Sequence, residues 1–351
     1  MISTGLINRE EEDRILNLAV LTQEHVLMVG PPGTAKSLEA DLFFGRLGGR
    51  FFKTSLTKFS TEEALFGPID LPALKQGEYR FQYRGSILDS HWAFVDEVFD
   101  APDPLLRSLL SVLNEREFRR GSFYVRCPLI TCVGTANYTR VNEVTEAVVD
   151  RFLFQWFVKP LDREGLDRLF EWRPPDSNGK VPLRKIRAAQ ARVDSVEFPS
   201  HLRGVFLDLC VQFNFSPRRV FKAIRVCKAH AHLNGREAVE AEDLVALKYL
   251  VSTDGEKIAE ATKVILETTV VAARAYEQMM LIDALVREWE EVRGEHYEVD
   301  HLREEAGVIR RLKAINPVSD EVAKRKADLL EEYERHYSRG KAEYLKEVGL
   351  S

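Results

Sequence analysis

One run of eight residues, Gly30-Pro31-Pro32-Gly33-Thr34-Ala35-Lys36-Ser37, restricts this chain to few architectures. It follows His25-Val26-Leu27-Met28-Val29, which reads as a short buried strand, and a helix is expected to begin near Lys36. A strand, a glycine-rich loop and a helix within about twenty residues open a βαβ unit. A loop in that place turns backbone N–H groups around phosphate oxygens at a helix N-terminus, where the helix dipole adds a favourable field. Lys36 then neutralises terminal phosphates, and Ser37 is placed to ligate Mg²⁺. The strict spacing has a glycine where this chain has Ala35. Alanine carries the smallest Cβ, so close approach to phosphate survives with less freedom.

Buried-strand candidates recur at 50–54, 92–95, 129–133 and 152–158. Helical stretches lie between them, notably 104–114, where Leu105, Leu106, Leu109, Leu110 and Leu113 form an apolar stripe. Five strands alternating with helices predict an α/β fold, a mostly parallel sheet with helices on both faces. An opening helix is predicted after Asn8, read as its N-cap, with Glu10, Glu11, Glu12 and Asp13 complementing the dipole.

The 351 residues exceed one ordinary domain, and 45% hydrophobic content supports a sizeable core. The composition break at 172–182, with Pro174-Pro175-Asp176-Ser177-Asn178-Gly179, marks a linker. Beyond it, 199–213, 217–232 and 242–250 read as helices. From Glu256 onward, 37 of 96 residues are charged, with apolar spacing through Ile265, Val270, Met279 and Leu285. That pattern predicts an amphipathic helical hairpin or bundle. Three segments result: a nucleotide-binding core at 1–171, a linker and helical lid at 172–254, and a charged helical extension at 255–351.

No apolar run approaches the roughly 20 residues that span a bilayer, and the first residues lack a secretory pattern. Cys127, Cys132, Cys210 and Cys227 have neither C-x-x-C nor zinc spacing and read as buried thiols of a cytoplasmic protein. A net charge of -5 argues against a chain that wraps nucleic acid electrostatically.

Two further motifs complete the chemistry. Trp92-Ala93-Phe94-Val95-Asp96-Glu97 is an apolar strand ending in two acids. There Asp96 can hold Mg²⁺ through water and Glu97 can polarise a water for attack on a γ-phosphate. Val133-Gly134-Thr135-Ala136-Asn137 is another strand ending in an amide. On a neighbouring parallel strand, Asn137 would lie beside Glu97 and help orient that water.

With these motifs the chain resembles an AAA+ ATPase of the MoxR family, and within it the RavA-type branch. The likeness runs from about Asn8 to about Leu250, on segments such as GPPGTAKS, AFVDEVFDAPDPLLRSLLSVLNEREFRRG, GTAN, VVDRF and SPRRVFKAI. Glu62…Phe66-Gly67-Pro68 and Leu113-Asn114-Glu115-Arg116 are the more selective parts. The resemblance implies an αβα P-loop core of five parallel strands, an all-α lid, and ATP with Mg²⁺ as cofactors. It makes Lys36 and Ser37 the Walker A ligands in a binding segment from Gly30 to Leu38, with Asp96 and Glu97 as Walker B and Asn137 as sensor 1. Arg151 matches an arginine finger that reaches into a neighbouring subunit, and Arg218, or the adjacent Arg219, matches sensor 2. An arginine needed in trans implies a ring or open spiral of subunits, a hexamer by resemblance.

The function expected on this basis is a chaperone-like remodeller or assembly factor for protein complexes, partnered by a separately encoded von Willebrand factor A domain. Two alternatives stand beside it: a nucleic-acid-translocating motor, for which Arg119 and Arg120 are the main support, and a nucleotide-gated scaffold. The segments 74–85 and 118–125 are expected as hairpin-like insertions, which in the wider group face a central pore.

Overall fold

The inner strands of the main sheet are buried on both faces, and the chain covers each face with helices. The computed structural model describes residues 1–137, 143–174, 179–293 and 299–349; residues 175–178 of the expected linker lie outside the described residues. The chain divides into two compact units, Met1–Ile265 and Leu266–Ser351.

The first unit begins with α1 (Glu10–Thr22), β1 (Val26–Val29), α2 (Lys36–Gly45) and β2 (Phe51–Ser55). Two short helices, α3 (Glu63–Phe66) and α4 (Leu71–Lys75), precede β3 (Trp92–Asp96) and α5 (Asp103–Glu115). A hairpin of β4 (Glu117–Arg120) and β5 (Phe123–Arg126) leads to β6 (Thr131–Ala136), α6 (Glu143–Arg151), β7 (Phe154–Phe157) and α7 (Arg163–Arg168). The five long-range strands pair in parallel in the order β2-β3-β6-β1-β7. This is the expected five-stranded αβα core. Alternation along the strands divides its interior. Val26, Met28, Trp92, Phe94 and Val133 face the core under α1 and α2, while Leu27, Val29, Ala93, Val95 and Cys132 face the core under α5. On the first side Phe44 stacks on Trp92 with ring centroids 5.9 Å apart.

Strand positions differ from expectation at the ends. β6 starts at Thr131 rather than 129, because Ile130 N–H is taken by His91 O at 2.8 Å as a lead-in. β7 starts at Phe154, since Phe152 N–H still bonds Val149 O at the end of α6. The expected Asn8 N-cap is corrected: the capping position is Arg9, without a side-chain cap bond. Asn8 adopts a positive φ of 54°, and its side chain accepts a hydrogen bond from Arg168, 2.9 Å away. Glu12 and Asp13, read as first-turn acids that complement the helix dipole, are buried.

The insertions also differ from each other. The 118–125 hairpin is present, with antiparallel register Phe118↔Val125 and Gly121 at φ +57° in its turn. The 74–85 segment is no strand hairpin; it starts with α4 and closes through a single bridge, Ile69↔Phe81.

Helices α8 (Leu183–Ser195), α9 (Arg203–Gln212) and α10 (Pro217–Leu233) pack in the same unit, α8 and α10 against α1. The segment 241–250 is a 3-10 helix, Ala241–Leu250, opened by a capping box between Glu240 and Asp243. α11 (Gly255–Val292) buries Ile258, Ala261 and Ile265 within the first unit. The second unit takes the remainder of α11 with α12 (Val299–Ala314) and α13 (Asp320–Glu347). Its own core joins Ile282, Leu285, Val308, Leu312 and Val322, and Trp289 stacks on Tyr333 with ring centroids 4.0 Å apart. Among the described residues no helix is long and apolar enough to cross a membrane.

Candidate nucleotide site

Three strands deliver their last residues to one place. β1 runs into Gly30, whose N–H bonds Ala136 O at 3.1 Å; a Cβ there would meet Val158 O at 2.4 Å, so only glycine fits between the strands. Register pairs Val29 with Ala136 and Val95 with Gly134, which brings Asp96 and Glu97 beside Thr135 and Asn137. The C-terminal edge of a parallel sheet is where open α/β folds bind ligands.

The loop curves through two left-handed positions, Gly33 at φ +80° and Ala35 at φ +64°. Alternation of this kind makes successive N–H groups converge as an anion nest. Lys36 sits at its mouth and is buried; Nζ donates to Gly30 O at 2.7 Å, Pro31 O at 3.0 Å, Thr34 Oγ1 at 3.4 Å and Asn137 Oδ1 at 3.3 Å. Burial lowers the Lys36 pKa from its ordinary value, with Asp96 and Glu97 opposing. Ser37 Oγ donates to Asp96 Oδ2 at 3.3 Å, and Thr135 Oγ1 donates to the other oxygen of Asp96. A hydroxyl and a carboxylate side by side at the foot of the nest are hard oxygen donors suited to Mg²⁺. Asn137 holds Glu97 through its backbone N–H at 3.4 Å and its side-chain amide. Burial raises the Glu97 carboxyl above its ordinary value; Asp96 and Asp100 add to this while the Asn137 N–H and Lys36 oppose it.

Beside the loop lies an apolar pocket of about 380 Å³. Pro31, Pro32, Leu38 and Ala35 form one wall, Leu6, Ile7 and Arg9 another, and Pro160, Leu161, Leu166, Leu169 and Trp172 a third. Its size and lining suit a nucleobase and ribose. The sequence points to the first wall, Pro31, Pro32, Ala35 and Leu38, and not to the other two. The Asp162 N-cap, accepting from Gly165 N at 2.8 Å, is the signal that would have located α7 and its Leu166.

Two expected residues lie elsewhere. Arg218 pairs with Asn114 at the end of α5, and Arg219 donates to Leu153 O at 2.9 Å just before β7. Arg151 is the last residue of α6 and pairs with Asp150 at 2.6 Å. Phe154 N–H bonds His25 O, so this is the N-terminal edge of the sheet. Five residue steps separate His25 from Gly30, which at ~3.3 Å per residue is roughly 16 Å. Neither arginine joins the phosphate loop of its own chain.

Residues 1–191 match a family profile described as the MoxR domain of the MoxR-vWA-beta-propeller ternary systems, and residues 210–265 match an AAA lid domain. The chain belongs to the MoxR family. Relatives by sequence include an uncharacterised protein of Methanocaldococcus jannaschii, 30% identical over 76% of this chain and 72% of its own. A protein named Chaperone MoxR1 from Mycobacterium tuberculosis is 27% identical over 65% of this chain and 66% of its own. A Cytophaga hutchinsonii crystal structure, titled as a candidate ATPase, superposes with a TM-score of 0.59 at 21% identity, over 76% of this chain and 90% of that one. It supports the fold. The matches identify the family without singling out the RavA-type branch.

In this MoxR domain the most family-selective residues serve the scaffold. Gly67, at φ +88°, approaches Gln82 O where a Cβ would sit at 2.3 Å. Glu62 accepts from Ser108 Oγ at 2.8 Å and faces Arg120 at 3.5 Å. Arg116 closes α5 in a left-handed conformation and donates to Leu113 O, Gln23 O and Ile130 O at 2.7, 2.8 and 3.2 Å. These bonds stitch the N-terminal edge of the sheet.

Proposed function

We propose that the chain is a Mg²⁺-dependent, ATP-hydrolysing AAA+ ring ATPase of the cytoplasm that remodels or assembles protein complexes. The observation that carries this reading is the separation of its charges. Lys36, Ser37, Asp96, Glu97 and Asn137 gather at one edge of the sheet, and Arg151 and Arg218 stand at the other.

The chain's own groups suffice for binding and for positioning a water. The nest and Lys36 hold the phosphates, exchanging the Lys36 contacts to loop carbonyls for charge-assisted ones. Ser37 and Asp96 would hold Mg²⁺, which when bound neutralises charge on the phosphate oxygens. Glu97 accepts the proton of the attacking water through its carboxylate, and Asn137 fixes the direction of that carboxylate. Among the described residues, neither Arg151 nor Arg218 brings to this edge a cation for the charge that develops as the terminal phosphate leaves. An arginine of a second copy supplies it in a ring, which we take as a hexamer with Arg151 as finger and Arg218 as sensor 2.

The family description, in which MoxR domains accompany von Willebrand factor A and β-propeller proteins, supports a partner bearing a von Willebrand factor A domain. The hairpin arginines favour a protein over a nucleic acid: Arg120 faces Glu62, and Arg119 lies over the Tyr124 ring at 5.2 Å. The test is ATP hydrolysis by the purified chain together with equilibrium ATP binding. Lys36→Ala should weaken binding by about 100-fold or more, and Glu97→Gln should bind ATP without turnover. Normal turnover by the Glu97→Gln protein would refute the assignment.

A further inference from the structure

The phosphate loop contains one residue whose conformation its own side chain opposes. Ala35 adopts φ 64°, ψ 18°, the left-handed region that a Cβ disfavours. Gly33, at φ +80°, meets no such opposition. The peptide that enters Ala35 is also the one gripped from behind. Arg9 is 4% exposed, and its Nη2 donates to Thr34 O at 3.0 Å and to Lys159 O at 3.0 Å. Its Nη1 donates to the Glu12 carboxylate at 3.3 Å, which holds the guanidinium in place.

We infer that Arg9 is a positioning residue for nucleotide binding, which pins the Thr34–Ala35 peptide and thereby holds Ala35 in the conformation the anion nest requires. The inference rests on the nucleotide-site reading above. A trans peptide is planar, so its carbonyl and the following N–H point in opposite directions. Drawing the Thr34 carbonyl back to Arg9 therefore directs the Ala35 N–H to the opposite side of the loop. With the carbonyl released, Ala35 relaxes toward negative φ, the peptide rotates, and that N–H is lost from the set that faces phosphate. A glycine at this position would hold the left-handed conformation unaided. The substitution of alanine for glycine in the loop and the buried arginine behind it are thus two halves of one device.

The experiment is an equilibrium titration of the full chain with fluorescent N-methylanthraniloyl-ADP, which requires no turnover. Four proteins are compared: the parent, Arg9→Ala, Ala35→Gly and the double variant. Arg9→Ala should raise Kd about tenfold in the parent, and no more than about threefold when glycine occupies position 35. Arg9→Lys, which keeps the charge and a single donor nitrogen but not the planar fork, should fall between, and if Arg9→Ala fails to fold, the same comparison is made with Arg9→Lys alone. An equal loss in both backgrounds would overturn the inference, because Arg9 would then act by its charge or by touching the nucleotide. No loss in either would overturn it as well. Failure of the parent chain to bind ADP would instead refute the nucleotide-site reading itself.

Discussion

Asn137 grips Glu97 twice, its backbone N–H meeting one carboxylate oxygen at 3.4 Å and its side-chain amide meeting the other. The amide oxygen accepts from Lys36 Nζ at 3.3 Å, so one carboxamide orients a cation and an anion together. Asn137→Asp keeps the acceptor for Lys36 and turns the donor into a second negative charge against Glu97. Like charges disfavour ionisation, so the acid limb of the turnover profile should move to higher pH, with a fall of about 10–100-fold near neutrality. Binding of ADP should change far less. An acid limb that stays in place would show that Glu97 does not govern the rate.

Asp100 provides the opposite displacement. It is among the charges that hold the Glu97 carboxyl above its ordinary value, behind burial and Asp96. A base that must be ionised works only above its pKa, so turnover should rise with pH through the raised range of Glu97. Asp100→Asn removes one source of repulsion and should shift that limb to lower pH, leaving ADP affinity unchanged. A shift upward would count against the assignment of Glu97 as base.

Much of this site was legible because it is local in sequence. The loop, the two strand-end motifs and their strands require only that apolar runs end in polar residues, and the parallel sheet then brings those ends together. What was hidden depends on distant chain. Asn8 looks like a cap until Arg168 arrives to take its side-chain oxygen. Glu12 and Asp13 look like acids placed only for the helix dipole until Arg9, Ser3 and Thr4 bond them. Arg218 carries a motif, but a motif does not state which way its helix runs. α10 begins near Glu24, through Lys222 at 2.6 Å, and ends near Arg14, through His230 at 3.2 Å. It therefore starts at the edge of the sheet opposite the loop.

Glu39 offers a test of burial behind the loop. It is fully buried on α2, and among the described residues neither carboxylate oxygen has a hydrogen-bond partner. Burial holds its carboxyl well above the ordinary value, with Glu12 and Asp13 adding and Arg9 opposing. Its pKa is raised on folding, so folding takes up a proton. The stability linked to it is present below the unfolded pKa and lost as pH rises through the folded one. Glu39→Gln removes that loss. The Tm of the variant relative to the parent should increase between about pH 5 and about pH 8. A constant or shrinking difference would mean that the carboxyl is not the buried, protonated group inferred here.

Gly134 makes room for the residue that follows the proposed finger. A Cβ on it would meet the Phe152 ring at 2.8 Å, and Phe152 is fully buried. Gly134→Ala should cost about 1–3 kcal/mol by overpacking, read from urea denaturation. Phe152→Leu in the same chain should recover part of it, because the two residues share one space. Strict additivity of the two losses would show that they do not compete.

Arg151 gives the decisive test of subunit cooperation. It stands at the N-terminal edge of the sheet, roughly 16 Å by strand rise from the loop of its own chain, and a single arginine side chain does not cross that span. If it serves a neighbouring copy, Arg151→Ala and Glu97→Gln each damage a different half of the same interface. Each protein alone should be inactive, since every interface lacks one half. In a mixture, an interface that pairs an intact Glu97 with an intact Arg151 reappears at random, so measurable turnover should return and peak at intermediate ratios. Native mass spectrometry of the same mixtures establishes that subunits have exchanged. Mixed oligomers without any recovered turnover would place the role of Arg151 within its own chain, in the packing of α6, and the ring would need another source for the missing cation.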